Sequence, residues 1–416
     1  MGCVMRDMKN VVIMLAVMAM GLSAHGQETD FGQWFSGGTL RIDCLREGSA
    51  LGDSVWVARW VDRRNPWHGS HTQTLDPFDG GDYRVSMRDA ATGREIYSRG
   101  YSNLFREYKG TAEGRTTSRR FEETLLLPMP LRAVDIALQA RDSNMRLYDQ
   151  TVVRFDPARD RLTAGPDADQ VYDYEIHGPS ATKFDIAFVM QGFDDEDDIV
   201  YRKACRRMAE SLFGHEPFAS RRRDFNIRFV KAYAGVEYNT FGADRYAMTF
   251  AVRLLHDAVG TTPADHIIVV INNRTYGGGA IYNFYSVSSL HKAAELVLTH
   301  ELGHGIGGLA DEYVDEELSY ADLHRTAYEP LEPNITNMVD FGSKWQSMIA
   351  ADTPIPTPAD DAVPRTECGP LGAYEGAGYS STGVFRPTMR CMMRDYAPFC
   401  PVCAKRLNQI IDLYTR

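Results

Sequence analysis

The stretch that could do chemistry is Thr299-His300-Glu301-Leu302-Gly303-His304-Gly305-Ile306-Gly307-Gly308-Leu309-Ala310-Asp311-Glu312-Tyr313. Upstream, Leu290, Ala293, Ala294, Val297 and Leu298 recur at helical spacing, so His300 falls well inside a helix. Residues four apart share a helical face, and His300 and His304 can therefore close on one ion. Zinc takes imidazole nitrogen readily, and Glu301 would stand beside the open coordination position as acceptor of a proton from water. Composition alone would produce such a His-Glu-x-x-His on the order of once per hundred chains of this size. The helical context and the glycines that follow argue against coincidence.

Gly303, Gly305, Gly307 and Gly308 must end that helix. A left-handed turn is expected at Gly307, after which the chain reverses and brings a third ligand to the ion. An extended zinc motif would place histidine three residues beyond that glycine, but Ala310 holds the slot. Asp311, one further on, can ligate through oxygen, with Glu312 as its rival and Glu329 or Glu332 as more distant donors.

A second group of metal-capable residues lies near the C-terminus. Cys44 and Cys205 stand alone, whereas Cys368, Cys391, Cys400 and Cys403 crowd the last fifty residues. If the chain is exported, disulfides are the preferred reading. Cys400-Pro401-Val402-Cys403 also fits half of a four-thiolate zinc site that Cys391 and Cys368 would complete.

Export is expected from the first residues. Arg6 and Lys9 precede an apolar run from Val11 to Met20, and small residues follow through Gly26, the order of a secretory leader over residues 1–26. Periplasm, cell surface or medium are the expected destinations. No internal apolar run reaches the ~20 residues of a membrane span. Ordinary proportions of apolar and charged residues exclude collagen, low-complexity disorder and a long coiled coil. A net charge of -11 speaks against a nucleic-acid groove as the main business.

The elements that must position these residues fall into two halves. Residues 27–161 carry 20 basic and 20 acidic side chains, and those from 162 onward carry 23 and 35. The front half, 27–160, alternates as strands near 39–45, 83–87, 119–127, 133–138 and 147–155, which suggests a β-sandwich. It shows no catalytic constellation, and His68 and His71 read as surface residues of a Trp- and Pro-rich loop. Residues 161–172 make a polar linker. From 173 to 416, buried strands near 184–190, 225–230 and 266–271 alternate with helices near 195–213 and 246–259, implying an α/β layer with a largely parallel sheet. The acidic run 194–198 reads as a solvated helix start rather than a calcium site.

With these residues in view, His-Glu-x-x-His-x-x-Gly-x-x-x-Asp-Glu-Tyr closely resembles the IgA peptidase family of bacterial zinc metallopeptidases. It is also similar to the immune-inhibitor-A type, which has one residue fewer before its Asp-Glu-Tyr. Tyr276-Gly277-Gly278-Gly279, Glu332-Pro333-Asn334-Ile335-Thr336-Asn337, Glu375-Gly376-Ala377-Gly378-Tyr379, Phe385-Arg386-Pro387 and Cys391-Met392-Met393-Arg394 look like the same family. The resemblance covers roughly residues 170–416, and the front half resembles the amino-terminal domain that accompanies the family. Met190-Gln191-Gly192-Phe193 departs from an expected Gly-Asp-Gly-Tyr-like segment, far in sequence from the zinc motif.

The resemblance implies a metzincin-like methionine turn beneath the ligands, with Met393 the best match and Met392 the alternative. It implies that substrate adds as a strand along an exposed sheet edge, for which Gly278, Gly279, Ile281 and Tyr282 are the candidates, though an internal hairpin strand reads nearly as well. Tyr396 could serve as an oxyanion donor. The expected function is an exported zinc endopeptidase with Glu301 as general base, acting on a protein or peptide. A metal-dependent amidase on cell-wall peptide or small amides is one alternative. A non-enzymatic adhesion or glycan-binding protein is another, opposed by the intact Glu301.

Overall fold

The computed structural model describes residues 30–168, 170–193, 198–315, 324 and 327–416. The expected leader and residues 194–197 of the acidic run lie outside the described residues. The architecture is rich in sheet and has few long helices. The front half consists of strands β1 (Phe35–Ser49), β2 (Gly52–Pro66), β3 (Tyr83–Asp89), β4 (Glu95–Tyr101), β5 (Arg119–Pro130), β6 (Val134–Arg141), β7 (Leu147–Phe155) and β8 (Thr163–Ala164), with two short helices, α1 (Phe31–Trp34) and α2 (Leu104–Tyr108). They form two four-stranded sheets, in the orders β5-β1-β2-β8 and β4-β3-β6-β7. Strands expected from alternation are present, because alternation buries one face and exposes the other.

The second half carries β9 (Val171–Glu175), β10 (Phe184–Gln191), α3 (Asp198–Leu212), β11 (Phe225–Lys231), α4 (Val252–Val259), β12 (His266–Ile271), β13 (Gly279–Ile281), β14 (Tyr285–Ser289) and α5 (Ala294–Gly305). A hairpin of β15 (Tyr374–Ala377) and β16 (Ser380–Arg386) follows, then α6 (Met392–Asp395) and α7 (Pro401–Thr415). The sheet order is β13-β14-β12-β10-β11-β9; the four central strands run parallel, and the two edge strands are antiparallel. No helix among the described residues is long and apolar enough to cross a membrane.

Strand β10 shows how the halves join. Every residue from Phe184 to Gln191 is buried. Ile186, Phe188 and Met190 pack into one core with residues of α3, α5 and α7. Ala187 and Val189 point into the other, which they share with Leu40, Ile42, Met87, Ile136 and Leu138 of the front sheets and Val252 and Leu255 of α4. One face of the central sheet is thus covered by helices, and the other by α4 and the front strands. Polar links seal the join: Arg63 donates to the Gly260 and Thr262 carbonyls, both at 2.7 Å, and Asn283 to the Gly100 carbonyl at 2.8 Å.

Two expectations fail here. Residues 246–259 are helical only from Val252 onward, because Tyr246 pairs in extended form with Gly278 and Met248 with Glu237. His68 is not a surface residue: it is buried at the join, between Arg63 at 3.0 Å and Asp265 at 3.0 Å. Burial and the charge of Arg63 push its pKa far down, so it is held neutral.

Candidate active site

Helix α5 brings the histidines together. Glu295 lies in its first turn, where a carboxylate complements the positive helix end, and Leu298 and Leu302 anchor its apolar face. His300 Nδ1 donates to the Met392 carbonyl at 2.9 Å, and His304 Nδ1 to the Leu309 carbonyl at 2.7 Å. A carbonyl only accepts, so each Nδ1 carries the proton and each Nε2 presents a lone pair. The two Nε2 atoms stand 3.1 Å apart.

The left-handed turn after the helix comes one residue later than expected. Gly308, not Gly307, takes the left-handed conformation, at φ 61°. Gly307 is glycine for space: a Cβ there would lie 2.7 Å from the Gly303 carbonyl oxygen and 3.1 Å from Leu407. After this turn the chain delivers Asp311, whose Oδ1 lies 3.1 Å from His300 Nε2 and 3.3 Å from His304 Nε2. Tyr379 donates its hydroxyl to Asp311 Oδ2, and Oδ1 has no hydrogen-bond partner.

Three potential ligand atoms thus face one another in a largely buried triangle, which is repulsive unless positive charge, a metal ion or a proton, sits among them. Ligands about 2.1 Å from a tetrahedral centre stand about 3.4 Å apart, close to the spacings found, so the residues fit a zinc ion. The demand for positive charge shows in protonation as well. Burial alone would depress His304, but the charges of Asp311 and Glu301 raise it to about 9. Asp311 is held far below its ordinary range: burial opposes this, and His304 and His300 outweigh it.

Glu301 lines the cleft beside these atoms. Burial raises its pKa, Asp311 adds to the rise, and the two histidines pull it back. A Cβ on Gly278 would come within 3.3 Å of Glu301 Cγ and 2.7 Å of the Val287 carbonyl oxygen, so glycine there makes room for the carboxylate stem. Met393 lies beneath the helix: a Cβ on Gly303 would be 2.3 Å from its sulfur. Met392 contributes its carbonyl to His300, and its side chain is buried in the helix-covered core.

The expected sheet edge is placed differently from the sequence reading. Strand β13 ends at Ile281, and Tyr282 has turned away; its hydroxyl accepts from Arg406 at 3.3 Å and its ring packs against Gly308. Gly278 already bonds to Arg245 and Ala247 through its N–H and carbonyl. Strand residues alternate in direction, so Ala280 presents the outward backbone of this edge. Tyr396 adopts a left-handed backbone, stacks edge-on to His300 and hydrogen-bonds to the Tyr276 hydroxyl at 2.7 Å.

Glu312 points the other way from Asp311. It is fully buried, accepts from Asn334 at 2.9 Å and meets Cys403 Sγ at 3.3 Å. Cys391, Cys400 and Cys403 surround it. The expected disulfides are not formed: all six described cysteines are free. Nor does Cys368 complete the thiol group; its Sγ turns to the Pro398 carbonyl.

The sequence reading missed Tyr379 and Asn334 as holders of the two carboxylates, although both lie in stretches that carry the resemblance. It also missed the front half's share of the cleft. Arg106 and Glu107 of α2 line the same cavity of about 840 Å³ as the histidines, with Glu107 accepting from the Tyr246 hydroxyl at 2.7 Å. Neither residue belongs to a recognisable motif.

A family model described as IgA Peptidase M64 matches residues 174–369 and 363–411 of the chain, and a second, described as Peptidase M64 N-terminus, matches residues 30–151. No curated protein matches the chain.

Proposed function

The chain belongs to the IgA peptidase M64 family and is a peptidase, and from that premise we propose that it is a zinc-dependent endopeptidase with His300, His304 and Asp311 as the metal ligands. The supporting observation is the triangle of His300 Nε2, His304 Nε2 and Asp311 Oδ1, three ligand atoms within 4.8 Å of one another, in the lining of an 840 Å³ cleft. A zinc ion held there would polarise the scissile carbonyl and make water acidic enough to attack near neutral pH.

The chain's own residues supply the rest. Glu301, whose pKa burial raises while the two histidines oppose the rise, takes the proton of the attacking water and returns it to the leaving amine. Tyr396, whose phenol burial and Tyr276 keep protonated, donates to the oxygen that gains negative charge. Met393 gives the ligands an apolar floor, and the Met392 carbonyl fixes the tautomer of His300. The outward backbone at Ala280 offers hydrogen bonds to an extended peptide. Export is part of the proposal and rests on the leader-like first 26 residues.

The test is a digest of a diverse peptide library by the full chain, with and without a chelator. Cleavage at internal bonds that stops on chelation and returns with added zinc supports the reading; cleavage indifferent to the chelator overturns it.

A further inference from the structure

Behind the histidine site, separated from it by one peptide unit, lies the second cluster. Cys391 Sγ stands 3.7 Å from Cys403 Sγ, and Cys403 Sγ 3.3 Å from Glu312 Oε1; the ligand atoms of Glu312, Cys391, Cys400 and Cys403 all lie within 4.8 Å of one another. A disulfide needs sulfurs about 2.05 Å apart. Thiolates bound tetrahedrally at about 2.3 Å stand about 3.8 Å apart, and a thiolate and a carboxylate oxygen about 3.5 Å. The observed spacings are those of ligands around one ion.

The surroundings point the same way. Cys400 caps helix α7 and accepts from the Cys403 N–H at 3.5 Å, and Cys391 Sγ accepts from the Cys400 N–H at 3.4 Å. Backbone N–H groups and a helix N-terminus stabilise sulfur as thiolate. Glu312 is fully buried, and its Oε2 has no hydrogen-bond partner. An unpartnered carboxylate oxygen among three sulfurs, with no water access, is costly unless a cation takes it.

We infer that Glu312, Cys391, Cys400 and Cys403 form a closed structural site for a divalent zinc-class ion. Binding would release the protons of the three thiols as their sulfurs coordinate. The site joins three segments that build the active site. Glu312 follows Asp311, and its N–H donates to the Met393 carbonyl at 2.8 Å. Cys391 precedes Met392 and Met393, the holder of His300 and the floor beneath it. Cys400 and Cys403 begin α7, whose Arg406 donates to the Gly307 carbonyl at 3.0 Å. The ion acts as a positioning clamp and leaves no open coordination position for water or substrate.

The experiment loads the full chain with cobalt and zinc in parallel, as wild type and as the His300→Ala/His304→Ala variant, and maps thiols by alkylation of the unreduced, denatured wild type. The expected result is a thiolate-to-cobalt charge-transfer band of equal intensity in both chains, zinc falling from two equivalents to one, and Cys391, Cys400 and Cys403 all alkylated. One zinc in both chains with the band intact keeps this site and removes the catalytic-zinc reading instead. A wild type without the band, or with any of the three cysteines in a disulfide, overturns the inference whether or not the variant folds.

Discussion

Asp311 and Glu312 are neighbours in the chain with the same functional group, and the fold sends them into opposite surroundings. Asp311 enters a cleft lined by Arg106, Glu107 and Tyr276, where the two histidines leave one side open and Glu301 stands at hand. Glu312 enters a sealed pocket of sulfur in which every member is buried. Catalytic metal sites keep an open position and structural ones close around the ion. The difference teaches that accessibility and the company of a base, not the donor set alone, separate a site that turns over from one that holds.

Exchanging the two carboxylates for alanine breaks the comparison most directly. Asp311→Ala should lose zinc from the histidine site and reduce peptide cleavage by at least ~10³-fold, the scale of losing a Lewis acid worth several kcal/mol. Glu312→Ala should leave a folded enzyme with measurable cleavage but less stability, by about 1–3 kcal/mol, because Asn334 and the thiols lose a buried partner. Cleavage rates and denaturant midpoints of the two variants decide the matter; the reverse pattern would mean the roles are exchanged.

A smaller loss is expected at the base. Glu301→Gln keeps the shape and the metal count but cannot accept a proton, so kcat should fall about 10²–10⁴-fold with zinc content unchanged. Near-native turnover by the pure variant would remove Glu301 from the mechanism.

The smallest effect concerns the cleft wall. Burial raises Glu107 to about 7; Asp82 adds to this, and the Tyr246 hydroxyl, His304 and Arg106 oppose it. Its folded pKa lies above the ordinary 4.5, so the folded chain holds the proton longer than the unfolded one. Its contribution to stability is therefore full below about 4.5 and is lost as pH rises to about 7. Glu107→Gln should melt above wild type at pH 7 and higher, with the gap closing toward pH 4.5. A gap independent of pH would show that the carboxyl does not titrate in this range.

Much of the site was legible because it is local. His300, Glu301 and His304 share one helical turn, and the period of four announces them. The turn that follows was misplaced by one residue because both glycines are obligatory for different reasons, Gly307 for space and Gly308 for its backbone angle. The cysteine cluster was half legible. Thiol spacing brought Cys391, Cys400 and Cys403 together, but the fourth partner is a glutamate 79 residues before Cys391, hidden beside a more conspicuous aspartate. Strand alternation showed the front sheets yet not what their buried faces meet. That His68 is buried against Asp265, and that Arg106 and Glu107 reach the cleft, are long-range consequences of packing on the central sheet.

That packing sets a condition on what the enzyme can cut. The cleft walls belong to halves that share a continuous apolar interior and are cross-tied by Arg63 and Asn283, so moving one described wall against the other would break buried contacts. On the proposed function, a substrate that arrives as a strand already free to thread meets the least resistance, so exposed linkers and unfolded tails should be cut before the interiors of folded proteins.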